Sequence, residues 1–122
     1  MSTSSDAASL VVLVRRDLEM SVGKSAAQVA HAAVGCSLKA RKQATAQFDR
    51  WRSEHGRIVV LAVDDLQALE DHREEAQTNR LVHHAVTDAG RTEVAPGTVT
   101  VLGIGPAPKS VLDVLFGHLE PL

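Results

Sequence analysis

Four short, largely apolar runs constrain this chain more than any other feature: Leu10 to Val14, Arg57 to Val63, Leu81 to Val86 and Thr98 to Ile104. Each is too short for a buried helix and continuous enough for a strand covered on both faces. Helix-forming stretches separate the first three. One begins near Ser21, whose hydroxyl suits a cap, and runs through an Ala-rich segment toward Trp51 with a break on the way. Another, Asp65 to Asn79, is polar with Leu66 and Leu69 as its inner edge, and Lys109 to Gly117 forms a closing helix. The order β-α-β-α-β-β-α predicts an α/β fold, a three-layer α/β/α sandwich around a four-stranded mixed sheet. Helical crossovers join strands one to three, so these are expected to be parallel; the fourth follows a loop and is expected to be antiparallel.

With 122 residues the chain is read as one domain over residues 10–122, after a short polar tail at 1–9 expected to be disordered. The single Cys36 leaves no internal disulfide and fits a reducing compartment. No apolar run approaches the ~20 residues that span a bilayer, and no signal peptide is evident. A cytoplasmic protein without a membrane partner is expected. The net charge of −2 argues against an indiscriminate nucleic-acid binder. Its distribution is uneven: residues 1–60 hold nine Lys/Arg against five Asp/Glu, and residues 61–122 hold four against ten. Phe48, Trp51 and Phe116 are the only aromatics besides histidine. A base-stacking platform for RNA is therefore not expected, whereas contact through phosphates is open.

The block Asp88 to Pro108 gathers Asp88, Arg91, Thr92, Thr98 and Thr100 among four glycines. Groups so small and polar do not build a core. Ala95-Pro96-Gly97-Thr98 reads as a tight turn feeding a buried strand, a common way to build a site. In open sheets ligands bind beyond the carboxyl ends of parallel strands. Strand one exits there into Arg15-Arg16-Asp17, helix one starts there at Ser21 to Lys24, and strand three exits there into Asp88. An antiparallel fourth strand would start at the same edge and bring Thr98 and Thr100 close.

On a helical wheel Lys24, Gln28, His31 and Gly35 share one stripe, with Ala26, Val29, Ala30, Ala33 and Cys36 opposite. The small residues are expected to lie against the sheet. The polar stripe is then either an ordinary solvated face or, starting as it does at a helix N-terminus beside Lys24, a seat for a phosphate or a developing oxyanion. Asp88 has the same two readings, a turn-capping carboxylate or half of a site with Arg91, Thr92 and the approaching Lys24. An Asp and a Lys together can orient a water and stabilise negative charge on a carbonyl oxygen.

Other motifs fall away. Gly23-Lys24-Ser25 lacks the glycine a P-loop needs, since Leu18 stands in its place. Gly103-Ile104-Gly105 runs into Pro106 rather than a dinucleotide fingerprint. The histidines, including His83-His84, make no metal-ligand pattern, and Cys36 reads as a buried inert thiol. Asp64, Asp65, Glu70, Asp71, Glu74 and Glu75 read as a solvated helix face.

Two segments together resemble the type 2 peptidyl-tRNA hydrolase family: Val14-Arg15-Arg16-Asp17-Leu18-Glu19-Met20 running into Gly23-Lys24-Ser25-Ala26-Ala27-Gln28-Val29-Ala30-His31-Ala32-Ala33, and the block Asp88 to Pro108. Gly117-His118-Leu119 fits as well, and the similarity is nearly collinear over residues 10 to 120. The resemblance implies the same sandwich, usually as a homodimer, and hydrolysis of the ester joining a peptide to the terminal ribose of tRNA. It requires neither cofactor nor metal. Family positions fall on Lys24, Gln28, His31, Asp88, Thr92 and Thr100. Where the family commonly has lysines, this chain has Val22 and, at the end of the second strand, Leu61 and Ala62. Lys39, Arg41, Lys42, Arg50 and Arg52 offer positive charge elsewhere.

The residues expected to act on the ester are Lys24, Asp88, Thr92 and Thr100, with Arg16, Gln28, His31, Arg91 and Thr98 binding substrate. Asp88 would orient or deprotonate the attacking water, Lys24 would stabilise the oxyanion or a nearby phosphate, and Thr92 and Thr100 would hold the water or Asp88. His31 is expected to position rather than catalyse. The alternatives are an RNA- or protein-binding adapter with weak catalysis, or hydrolysis of another ester or amide at the same site.

Overall fold

A computed structural model describes residues 6–89 and 93–122. Its elements run β1 (Ala8–Arg15), α1 (Val22–Gln43), α2 (Thr45–Ser53), β2 (Ile58–Val63), α3 (Leu66–Thr78), β3 (His83–Thr87), β4 (Val99–Pro108) and α4 (Lys109–Phe116). The result is an α/β protein with a four-stranded open mixed sheet and four helices among the described residues, the strands ordered β2-β1-β4-β3. β1 and β2 pair in parallel, and β4 pairs antiparallel with both β1 and β3. The expected break in the first long helix falls at Ala44. β1 starts earlier than expected and takes Ala8 and Ser9, both buried, from the segment read as tail. Asp6 accepts from the Ser110 amide and the Ala7 carbonyl from that of Lys109, which ties this segment to the start of α4.

Alternation along β1 divides the interior. Leu10, Val12 and Val14 join a core with Ala32, Cys36, Trp51, Val86 and Val101 under α1 and α2. Val11 and Leu13 point the other way, into a core with Leu69 and Ala76 of α3 and Leu112 and Phe116 of α4. Successive strand side chains face opposite sides, so both faces of β1 must be covered, which is why its sequence is apolar without interruption.

α1 presents a different face to the sheet from the one its small residues suggested. Its buried residues are Gln28, Ala32, Cys36 and Ala40, whereas Ala26 and Ala30 are exposed and Val29 and Ala33 only half-buried. That Ala/Val flank, with Met20, Val22, Ile58, Val60 and Leu122, lines an open apolar groove of about 800 Å³. Two facts account for the rotation. Thr100 in the sheet gives the Gln28 amide a buried partner, removing the cost of burying it. Gly103 lets α1 approach, because a Cβ there would lie 2.8 Å from the Cys36 sulfur and 3.2 Å from the Ala32 carbonyl oxygen. Burial pushes the Cys36 thiol up to about 12, in keeping with an inert core residue.

Candidate active site

The site forms where α1 begins, β3 ends and β4 starts. Ser21 caps α1, its hydroxyl oxygen accepting from the Lys24 amide at 3.1 Å. This first turn aims Lys24 at β3, where its ammonium ion-pairs directly with the Asp88 carboxylate. Little solvent reaches either side chain: Lys24 is 13% exposed and Asp88 6%. Low local dielectric strengthens such a pair and would equally strengthen its action on charge developing nearby.

Asp88 is held by its backbone as well. Its amide donates to the Thr98 carbonyl at 2.8 Å, and its own carbonyl accepts from Gly97 at 2.9 Å. Thr98 closes the turn through its amide and hydroxyl, both donating to Ala95. Gly97 has φ of +80°, the left-handed conformation the Pro-Gly pair provides.

A bulge places Thr100. Val86 pairs with Val101 but Thr87 pairs with Val99, leaving Thr100 as the extra residue on β4. The side chain is thereby redirected toward α1 and is fully buried. Its hydroxyl accepts from the Gln28 amide at 2.7 Å and lies 3.3 Å from the Val86 carbonyl, to which it donates. Gln28 and Thr100 thus fasten α1 to the sheet one helical turn below Lys24.

Four of the expected residues therefore converge, with Thr98 at the base of the same turn. His31 stands exposed on α1, one turn beyond Gln28. Arg16 turns elsewhere, its guanidinium engaging Asp64 at 3.4 Å and Glu120 at 3.3 Å. The expectations for Arg91 and Thr92 lie outside the described residues. The described residues hold no group of three or more His, Cys, Asp or Glu suited to a metal.

One participant escaped the sequence reading. Glu93 accepts from the Ser21 amide at 2.7 Å and from the Ser21 hydroxyl at 2.5 Å, latching the β3–β4 connection onto the start of α1. Seventy-two positions separate the two residues, so only the fold reveals the contact. The Ser21 hydroxyl and then its amide hold the Glu93 carboxyl below the usual range, with Lys24 adding a smaller pull. A carboxyl lowered in this way favours the latched form at and above the ordinary carboxylate range, and the contribution disappears as pH falls through the lowered value. Glu93→Gln, which keeps an acceptor but cannot titrate, is expected to flatten the acid limb of the stability–pH curve measured by thermal melting. An acid limb identical to wild type would remove the latch from that role.

The fold and site together define a small α/β protein with a nearly buried lysine–carboxylate pair where a strand ends and a helix begins. The model of the family described as peptidyl-tRNA hydrolase PTH2 matches residues 8–122, and the chain belongs to that family. It is 42% identical over 113 residues to a peptidyl-tRNA hydrolase of Thermoplasma volcanium, covering 93% of this chain and 97% of that one. It is 45% identical over 112 residues to one of Methanopyrus kandleri, covering 92% and 96%. With one of Metallosphaera sedula it shares 42% over 115 residues, covering 93% and 98%.

Proposed function

We propose that this protein is a peptidyl-tRNA hydrolase acting on the ester between an N-blocked aminoacyl group and the terminal ribose of tRNA. The observation that carries the reading is the Lys24–Asp88 pair at the start of α1, within a chain whose family membership spans residues 8–122. The Asp88 carboxylate orients a water and accepts its proton as the water oxygen attacks the carbonyl carbon. Lys24 stabilises the negative charge that develops on the carbonyl oxygen. As the tetrahedral intermediate collapses, the bond to the ribose oxygen breaks, that oxygen takes up a proton, and the peptide leaves as a carboxylic acid. Gln28 and Thr100 hold α1 in register with β4, Thr92 holds the water or Asp88, and Thr98, Arg91 and His31 complete the substrate surface. The chemistry proceeds without metal or cofactor.

The finer architecture in this reading is a three-layer sandwich, α1 and α2 over one core and α3 and α4 over the other, with three strands in one direction and β4 opposed. The working form is a homodimer in the cytoplasm. No helix among the described residues is long and apolar enough to cross a membrane, which is compatible with that location. A monomeric mass by analytical ultracentrifugation at working concentration would remove the dimer.

Incubation with N-acetylated and with free aminoacyl-tRNA, each with and without a chelator, tests the function. Release from the blocked substrate alone, unchanged by chelation, is expected. Release from neither would make the protein an adapter, and equal release from both would make it a less selective esterase.

A further inference from the structure

α1 carries cations near its two ends and no acid between them. Its 22 residues include Lys24, Lys39, Arg41 and Lys42 and not one carboxylate. The wheel positions Lys24, His31, Gly35, Leu38 and Lys42 fall on a single stripe, at spacings of seven, four, three and four. At 1.5 Å per residue this stripe runs roughly 27 Å from Lys24 to Lys42. Contacts with β3 establish where it lies. Lys24 meets Asp88, a Cβ on Gly35 would collide with the His84 ring, and the Lys39 ammonium donates to the His83 carbonyl at 3.0 Å. The stripe therefore follows the seam between α1 and β3, and β3 from His83 to Thr87 adds no acid. Asp88 and Glu93 stand at the Lys24 end of the seam and Asp49 belongs to α2, whereas Glu70, Asp71, Glu74 and Glu75 belong to α3, which packs on the opposite core. The acids of α3 thus lie across the sheet from the seam.

Arg41 and Lys42 have a simpler explanation, since cations at a helix C-terminus complement its dipole. The dipole accounts neither for the absence of acids from the preceding turns nor for the alignment of Lys42 with Lys24. His84 contributes contact rather than charge: burial, with Lys39 nearby, holds its imidazole below the usual range.

We infer that the α1–β3 seam, from Lys24 through His31 and Leu38 to Lys42, is the track along which the phosphates of the tRNA acceptor arm lie when its terminal ester occupies the Lys24–Asp88 site. The inference rests on the peptidyl-tRNA reading. It chooses RNA over an acidic protein because the track is narrow and continuous with the site, and its aromatic-free surface suits phosphates rather than stacked bases. It also moves the basic surface away from the opposite flank of α1, where Val22 faces the apolar groove.

The test measures binding of deacylated tRNA to the full chain by fluorescence anisotropy over a salt series. Lys42→Glu is expected to raise Kd roughly tenfold near 0.1 M salt and to reduce the slope of log Kd against log salt by about one. Leu38→Lys, at an exposed position on the stripe, is expected to tighten binding and steepen the slope by a similar amount. A misfolded variant would not produce that gain. Arg73→Glu, on α3, is the control expected to leave binding unchanged. Wild-type Kd and slope in both stripe variants would overturn the inference, as would failure of the wild type to bind tRNA. Competition by poly-glutamate as effective as that by RNA of matched charge would assign the seam to an acidic protein surface instead. Hydrolysis of N-acetyl-aminoacyl-adenosine, a substrate without the acceptor arm, reports on the site separately. Its absence counts against the ester chemistry without touching the track.

Discussion

Asp88→Asn is expected to lower turnover of peptidyl-tRNA roughly 10²–10⁴-fold while leaving the fold intact. The substitution preserves the shape of the side chain and one carbonyl oxygen, so the Lys24 ammonium keeps an acceptor. The backbone bonds from Asp88 to Thr98 and Gly97 do not involve the side chain at all. What disappears is the negative charge that can take a proton from water. Because Asp88 is nearly buried, no bulk solvent stands ready to replace it in that role. Single-turnover assays with a radiolabelled N-acetylated aminoacyl-tRNA, alongside circular dichroism, would measure both halves of the prediction. Turnover within a few-fold of wild type would take the base away from Asp88.

Lys24→Ala is expected to be comparably damaging, and through kcat rather than KM. Ground-state binding of tRNA can draw on the other cations of α1, whereas Lys24 ion-pairs with Asp88 at the site. A rise confined to KM would assign Lys24 to uniform binding instead. This variant also breaks the nearly buried Lys24–Asp88 pair, and breaking a buried pair typically costs up to about 3–5 kcal/mol. Partial exposure of the site reduces that cost, and a thermal melt must accompany the kinetics. The double variant should lose little more than either single one, because Lys24 and Asp88 act through one contact. Additive losses would mean that the two residues serve separate steps.

The positions of the elements were legible because each has a local cause. Continuous apolar runs mark β1 and β2, Ser21 and Asp65 cap α1 and α3 as their side chains allow, and Pro96-Gly97 sets the turn before β4. The meeting of Lys24 with Asp88 was legible for a topological reason, since strand ends, helix starts and the return of β4 share one edge of the sheet. The face that α1 buries was not legible. Periodicity separates a polar stripe from a small-residue stripe but does not say which one the sheet accepts. That choice depends on Thr100 satisfying Gln28 and on Gly103 making room for Ala32 and Cys36, both contributions from a strand some seventy residues away. The Glu93 latch was hidden for the same reason: its partner is distant in sequence, and a glutamate in a polar loop looks like any other.

By itself the sequence determined the α/β class, the order of elements, the family and the residues proposed to carry the chemistry. The class and the order follow from spacing along the chain, which is a local property, and the family from the resemblance of whole segments. Tertiary structure alone decided that β4 lies between β1 and β3 and that its bulge turns Thr100 toward α1. It also decided that the polar flank of α1 faces β3 while the apolar flank opens onto a groove. Each of these is set by which distant groups can satisfy buried polar atoms and fill space together, and that accounting closes only in the folded chain.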